Sequence, residues 1–257
     1  MLYQIKAYLK FILKSTNLHG IHSPFVFNLV TKCFYDKNNY KEYSEIELYR
    51  ASLLKNKNTI EVIDLGAGSK TTKQRKRLIS QMAKKASTTK HRTKLLYRLV
   101  KHHNCKNCLE LGTSLGIGTQ AISLGNLKGK ITSIEGCPNL AEFSKENFKQ
   151  YHLHNIEVLT GNFLNKIKVL KPKTYDLVFF DGNHQKEATV KYFETLLPKT
   201  HNNTVFIFDD IYWSKDMTEA WEIIKQHPKV TVSIDTFFWG FIFFRQEQQK
   251  EHFTIRM

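Results

Sequence analysis

Residues 107–135 read NCLELGTSLGIGTQAISLGNLKGKITSIE, and the fold follows from their order. Cys108-Leu109-Glu110-Leu111 is short and apolar enough to be a buried strand. Gly112-Thr113-Ser114-Leu115-Gly116-Ile117-Gly118 then makes a glycine-rich turn. Residues 119–124 read as a helix, and residues 130–135 as a second strand that ends on the acid Glu135. Glycines at a strand-to-helix turn let the backbone approach a ligand, because no Cβ intervenes and positive φ costs little. The helix start behind the turn offers free N–H groups and a positive dipole end. An acid at the tip of the next strand can accept from both hydroxyls of a ribose. Gly112 and Glu135 lie 23 residues apart, close to the roughly 20 of a nucleoside-binding βαβ unit. The glycines do not follow G-x-G-x-x-G, which argues against NAD.

Outward from this unit, strands and helices alternate. Residues 138–151 carry Leu140, Ala141, Phe143 and Phe148 at helical spacing. Residues 156–159 form a strand that runs into Gly161-Asn162. The stretch 175–181, YDLVFFD, is apolar throughout and so is expected to be buried on both faces of a sheet. A helix over 187–197 precedes Pro198, and 204–210, TVFIFDD, is another strand. Ser214 caps a helix over 214–227, and residues 230–234 and 237–244 close the chain with two successive strands. Upstream, Leu95, Leu96, Leu99 and Val100 give a helix over 90–103 that leads into the central strand.

The first 89 residues read as a helical extension, and residues 90–257 as the main domain. Leu2, Ile5, Leu9 and Ile12 recur at helical spacing with Lys6, Lys10 and Lys14 on another face, an amphipathic helix. Such a helix can pack on its own domain, pair two copies into a homodimer or lie on a membrane surface. Ser23 and Pro24 are placed as cap and first residue of a second helix, with Phe25, Val26, Leu29, Val30 and Phe34 as its buried stripe. A third helix spans 40–54. Residues 59–69, TIEVIDLGAGS, imitate the strand-and-glycine pattern of the later loop. The 37 residues that follow contain no acid-ended strand, and the sequence there reads as a basic helical run. A hairpin or lid loop is therefore expected, with Asp64 and the 66–69 backbone as further ligand candidates.

Composition sets limits. The formal charge is +16, and the 13 Lys and Arg between Lys70 and Lys106 face no Asp or Glu in that stretch. Such a block attracts polyanions, RNA among them, unless it is simply a solvated helical face. The chain has no apolar run of the ~18 residues that a membrane span needs, and no signal-peptide pattern opens it. Cys33, Cys105, Cys108 and Cys137 are too scattered for a disulfide framework, so a reducing, cytoplasmic setting is expected. Cys105-x-x-Cys108 lacks a second pair, and Cys108 falls inside a strand, which disfavours a zinc or redox site.

In open α/β sheets ligands bind beyond the carboxyl ends of the strands. Those ends here are Gly112–Gly118, Glu135, Gly161-Asn162, Asp181–His184 and Asp209-Asp210. Converging carboxylates at Asp181, Asp209 and Asp210 would repel one another unless a cation lay among them, and oxygen ligands suit Mg²⁺ or Ca²⁺. The plainer reading is that these aspartates cap the helices that follow.

The run E-L-G-T-S-x-G resembles the first motif of class I S-adenosylmethionine (SAM) methyltransferases. Residues 94–244 resemble their cation-dependent catechol and caffeoyl-CoA O-methyltransferases. In that pattern one strand ends in Asp and the next in Asp-Asp or Asp-Asn, which maps onto Asp181 and Asp209-Asp210 as metal ligands. The resemblance implies an α/β, Rossmann-like seven-stranded methyltransferase sheet. It would be mostly parallel, with its last strand antiparallel and helices on both faces. It implies a SAM contact set of Glu110, Gly112, Thr113, Ser114, Gly116, Gly118, Glu135, Gly136, Gly161, Asn162 and Asp181. Where that family commonly has a basic lysine three residues after the first Asp, this chain has His184, and a histidine can take a hydroxyl proton. Asp181 and His184 are the expected catalytic residues, acting on a small-molecule acceptor; the alternatives are a lysine of the basic segment as the base and a cofactor contact for His184. A nucleic-acid acceptor is the weaker alternative, because no RNA-binding module and no Asn-Pro-Pro-Tyr signature is present. A third reading is a non-catalytic SAM-fold module or membrane-surface adaptor built on residues 1–14.

Overall fold

The computed structural model describes residues 2–63, 75–85 and 87–257. The helices in chain order are α1 (Leu2–Lys14), α2 (Pro24–Leu29), α3 (Glu42–Lys55), α4 (Ile79–Lys85) and α5 (Lys90–His103). They continue with α6 (Ile117–Gly125), α7 (Pro138–Gln150), α8 (Phe163–Lys168), α9 (Lys186–Leu196) and α10 (Lys215–Gln226). The strands are β1 (Thr59–Glu61), β2 (Lys76–Leu78), β3 (Asn107–Leu111), β4 (Lys130–Glu135) and β5 (Ile156–Thr160). After them come β6 (Leu177–Phe180), β7 (Val205–Asp209), β8 (Val232–Asp235), β9 (Trp239–Phe243) and β10 (Glu251–Thr254). The architecture is α/β with a mostly parallel sheet flanked by helices, as the sequence implies. The chain divides into two compact units, residues 37–170 and residues 1–36 with 171–257.

In the unit 37–170, β3, β4 and β5 pair in parallel, with Glu110 opposite Ser133 and Glu135 opposite Thr160. Parallel strands with helical crossovers are covered on both faces, which is why β3 is buried at four of its five positions. Helix α5 begins on Thr89, whose hydroxyl accepts from the Arg92 amide, and stops at Asn104 in the left-handed conformation. Its Leu95, Leu96, Leu99 and Val100 are buried. Strand β1 pairs antiparallel with β2, so the predicted hairpin exists. Its return strand falls inside the basic stretch expected to be wholly helical. A three-residue strand, Lys76-Arg77-Leu78, has no hydrophobic period long enough to reveal it. Residues 64–74, with Asp64 and the 66–69 backbone, lie outside the described residues.

In the other unit, β6 and β7 are parallel, and β9 lies antiparallel between β7 and β8. The expected antiparallel last strand is therefore β9. An eighth strand, β10, then pairs in parallel with β8 at the edge, a strand absent from the seven expected. Every residue of β6, β7, β8 and β9 is buried. Aromatic rings fill this core: Phe180 stacks on Phe208 at 4.2 Å, and Phe179 meets Trp239 edge-on at 5.4 Å. Ser23 caps α2 with Pro24 in its first turn, as read from the sequence. The helix then widens into a π turn at Val30–Phe34, placing Phe34 against Phe241 at 4.9 Å. Phe25, expected in the buried stripe, is half-buried between Phe243 and the guanidinium of Arg245.

Candidate active site

The turn after β3 is held in a shape that its residues dictate. Gly112 has φ 108° and Gly116 φ 77°, a backbone region that costs an L side chain heavily. A Cβ on Gly116 would also lie 2.5 Å from the Phe148 ring and 2.9 Å from the Tyr49 hydroxyl. Between them Ser114 takes φ 49°. The Gly112 amide donates to the Ile134 carbonyl at 2.9 Å, and the Gly116 amide to the Thr113 carbonyl at 2.8 Å. Gly118 is buried in the first turn of α6.

One carboxylate organises this turn. Glu135, at the tip of β4, accepts from the Ser114 amide (2.8 Å) and the Cys137 amide (2.9 Å). Burial raises its pKa, and the surrounding backbone amides, Cys137 and Ser114 foremost, pull it back down. The Ser144 hydroxyl on α7 donates to the Ser114 carbonyl at 2.7 Å, and the Tyr49 hydroxyl on α3 donates to the Leu115 carbonyl at 2.8 Å. Tyr49 lies 66 residues from its partner, and nothing in the local sequence signals the contact. The Asn139 side-chain Nδ2 donates to the Glu61 carbonyl at 2.8 Å, and the Ile63 backbone amide donates to Cys137 Sγ at 3.3 Å. These bonds place the end of β1 beside the start of α7.

Glu110 sits behind the turn. It is wholly buried, and burial pushes its carboxyl up to about 7 despite hydrogen bonds from Ser133 and Thr119. Thr113 and Ser133 join their hydroxyls at 2.6 Å. Glu110 therefore supports the loop from within. Gly161 has φ 138°, and its amide donates to the Glu135 carbonyl at 2.9 Å. Asn162 caps α8, its side chain accepting from the Asn165 amide at 3.3 Å. Gly136 is half-buried between the two residues that flank it.

The remaining expected residues belong to the other unit. Asp181 follows β6 directly and is half-buried, as are Asn183 and His184. Asn183 takes φ 64° and donates to the Tyr192 hydroxyl at 2.7 Å, which fixes the turn that presents His184. The His184 ring lies 5.9 Å from the Trp213 ring. Asp209, the last residue of β7, is buried and accepts from the Trp239 indole at 2.7 Å. Asp210 has φ 56°, and its carbonyl accepts from the Trp213 amide at 2.8 Å.

These acids do not fit a preformed cation site. Among the described residues no group of three or more His, Cys, Asp or Glu side chains is placed to hold a metal ion. One oxygen of Asp209 already answers the Trp239 indole.

A methyltransferase-domain family matches residues 109–211. Over 65 residues the chain is 37% identical to a protein-L-isoaspartate O-methyltransferase of Idiomarina loihiensis, covering 25% of this chain and 30% of that protein. The matched stretch thus spans less than a third of that relative's length. Over 145 residues it is 26% identical to the ribosomal RNA small subunit methyltransferase D of Buchnera aphidicola, covering 55% of this chain and 73% of the relative. The fold is shared with an O-methyltransferase from Bacillus cereus solved in complex with S-adenosylhomocysteine (SAH). The TM-score is 0.54 at 20% identity, over 85% of this chain and 97% of that one. Residues 109–211 are thus similar to a methyltransferase domain, and the fold is one shared with a solved O-methyltransferase.

Proposed function

We infer that this chain is a SAM-dependent methyltransferase that methylates an oxygen of a small hydroxylated acceptor. The observation that carries the reading is the Glu135 carboxylate at the tip of β4, held between two backbone amides beside a glycine turn. A buried acid so placed fits the two hydroxyls of a ribose. The turn's glycines keep side chains out of the space beside it. The residues proposed to hold SAM are Gly112, Thr113, Ser114, Gly116, Gly118, Glu135, Gly136, Gly161, Asn162 and Asp181, with Glu110 supporting the loop.

SAM brings a methyl group already activated on a sulfonium, so the protein's work is alignment, exclusion of water and management of one proton. The acceptor oxygen forms the new C–O bond as the C–S bond breaks, the sulfur leaves as a neutral thioether, and the hydroxyl proton goes to a base. His184 is proposed as that base and Asp181 as its catalytic partner. Residues 1–89 are proposed to act as a lid that sets acceptor choice. The strand-end acids are not grouped to hold a metal ion among the described residues, which leaves the proton to side chains.

The test is calorimetric titration of SAM into the purified protein, then a screen of vicinal-diol acceptors with radiolabelled SAM. SAM binding at micromolar level and methyl transfer that falls about a hundredfold in His184→Ala would support the reading. An absence of SAM binding would end it. A second reading, methylation of RNA, draws on the basic block at 70–106 and on the ribosomal RNA methyltransferase relative. Methyl incorporation into RNA that collapses steeply with added salt would favour it over the small acceptor.

A further inference from the structure

Helix α1 is amphipathic twice over. One face is buried: Phe11 is 5% exposed, and the Phe237 ring contacts both Phe11 (5.5 Å) and Tyr8 (4.9 Å). The Tyr3 hydroxyl donates to the Thr218 hydroxyl on α10 at 2.7 Å. The opposite face carries a second apolar stripe, and it points outward. Leu2 is 77% exposed, Ile5 52%, Leu9 59% and Leu13 86%. At 3.6 residues per turn these four lie within one arc of the helix, with Lys6, Lys10 and Lys14 in a row along one flank. Phe238, 51% exposed, adds an aromatic ring next to Phe237, the residue on which α1 packs.

Burial of the Phe11 face explains why the helix forms here, but not why its outer face is leucine. Four large aliphatic side chains in water on a 13-residue helix favour an apolar cover. The lysine row indicates the charge of that cover. Residues 2–35 contain no Asp or Glu, so a second copy of α1 offers nothing to neutralise the lysines. The acids that share a surface hollow with Tyr3, Glu219 and Glu222, are already paired with Lys186 and Lys225. A lipid surface of negative charge answers both features, taking leucines into its acyl boundary and lysines at its phosphates.

We propose that α1 is a membrane-surface anchor, which lays Leu2, Ile5, Leu9 and Leu13 into an anionic bilayer while Tyr8 and Phe11 hold it to the folded protein. It lies on the membrane and does not span it; no helix among the described residues is long and apolar enough to cross one.

The test is flotation of the full chain with phosphatidylcholine vesicles and with vesicles that also contain phosphatidylglycerol. The expected result is binding to the anionic vesicles alone, weakened by salt. Leu9→Ala/Leu13→Ala, which leaves the net charge unchanged, should weaken it roughly tenfold or more. Lys6→Gln/Lys10→Gln/Lys14→Gln should weaken it by at least as much. Thermal unfolding shows that each variant is folded, and Leu2→Ala/Ile5→Ala supplies an independent pair. Failure of the unaltered chain to float overturns the proposal. So does undiminished binding of both leucine pairs, which would mean adsorption through net charge elsewhere. A concentration-dependent dimer that the leucine pairs dissolve, with no flotation, would assign the stripe to a second copy and also overturn it.

Discussion

Two sets of strand ends carry the polar groups of this molecule, and they use them differently. Beyond β3 and β4, one carboxylate, Glu135, gathers backbone amides, and the turn around it runs through glycines at positive φ. Beyond β6 and β7, Asp209 is tied to an indole, and Asp210 sits in a left-handed turn. A site built from backbone is preformed and tolerates little change in sequence. A site built from side chains can be retuned residue by residue. Under the proposed function, the first arrangement suits a constant cofactor and the second a varied acceptor.

The comparison breaks most readily at Gly116. In Gly116→Val the new side chain would meet the Phe148 ring and require a positive φ. We expect SAM affinity to fall more than about a hundredfold and the fold to lose about 2–4 kcal/mol, read by calorimetry and urea unfolding. Unchanged affinity would show that the turn is not a cofactor loop.

Glu110 gives the next largest effect, and it is one of pH. Its folded pKa of about 7 exceeds its ordinary 4.5, so the folded protein holds this proton more tightly than the unfolded chain. The stability it contributes is complete below pH 4.5 and is lost as pH rises through 7, amounting to about 3 kcal/mol in all. Glu110→Gln should flatten unfolding free energy against pH across that window. If the two curves run parallel, burial does not raise Glu110 above its ordinary value.

Glu135→Gln sharpens the contrast from the cofactor side. Replacing a charged acceptor of two amides by a neutral one should weaken SAM binding by roughly ten- to a hundredfold with little change in unfolding. At the other strand ends the smallest change is expected. Asp209→Ala leaves the Trp239 indole without its acceptor and should cost about 1–3 kcal/mol of stability. Removal of divalent ions with a chelator should alter methyl transfer by less than about twofold. A loss restored by added Mg²⁺ would mean that the acids regroup around a cation.

What could be read from the sequence was local. Gly112, Gly116 and Glu135 belong to one strand–turn–helix–strand stretch whose chemistry lies in its spacing, and the alternation downstream places β4 to β9 within a residue or two. What could not be read was held by distance. The Tyr49 hydroxyl on Leu115, and the Trp239 indole on Asp209, join residues 66 and 30 positions apart. No periodicity records such pairs, and the indole occupies an oxygen of one of the strand-end acids. Strand β10 escaped because Glu-His-Phe-Thr is short and polar, and its pairing with β8 supplies the order that its composition lacks.

The contacts at Thr16 bear on the order in which the protein is made. Its amide donates to the Thr254 carbonyl, and the Arg256 amide donates to the Thr16 carbonyl. The unit that contains them draws on residues 1–36 and 171–257, whereas residues 37–170 form their unit from one continuous stretch. On a ribosome the continuous unit can settle while synthesis proceeds. The segment 1–36 must wait, with its apolar helices uncovered, until residues 251–256 have emerged. During that interval α1 and α2 are open to chaperones and, in the reading given above, to a membrane surface before their own domain exists to receive them.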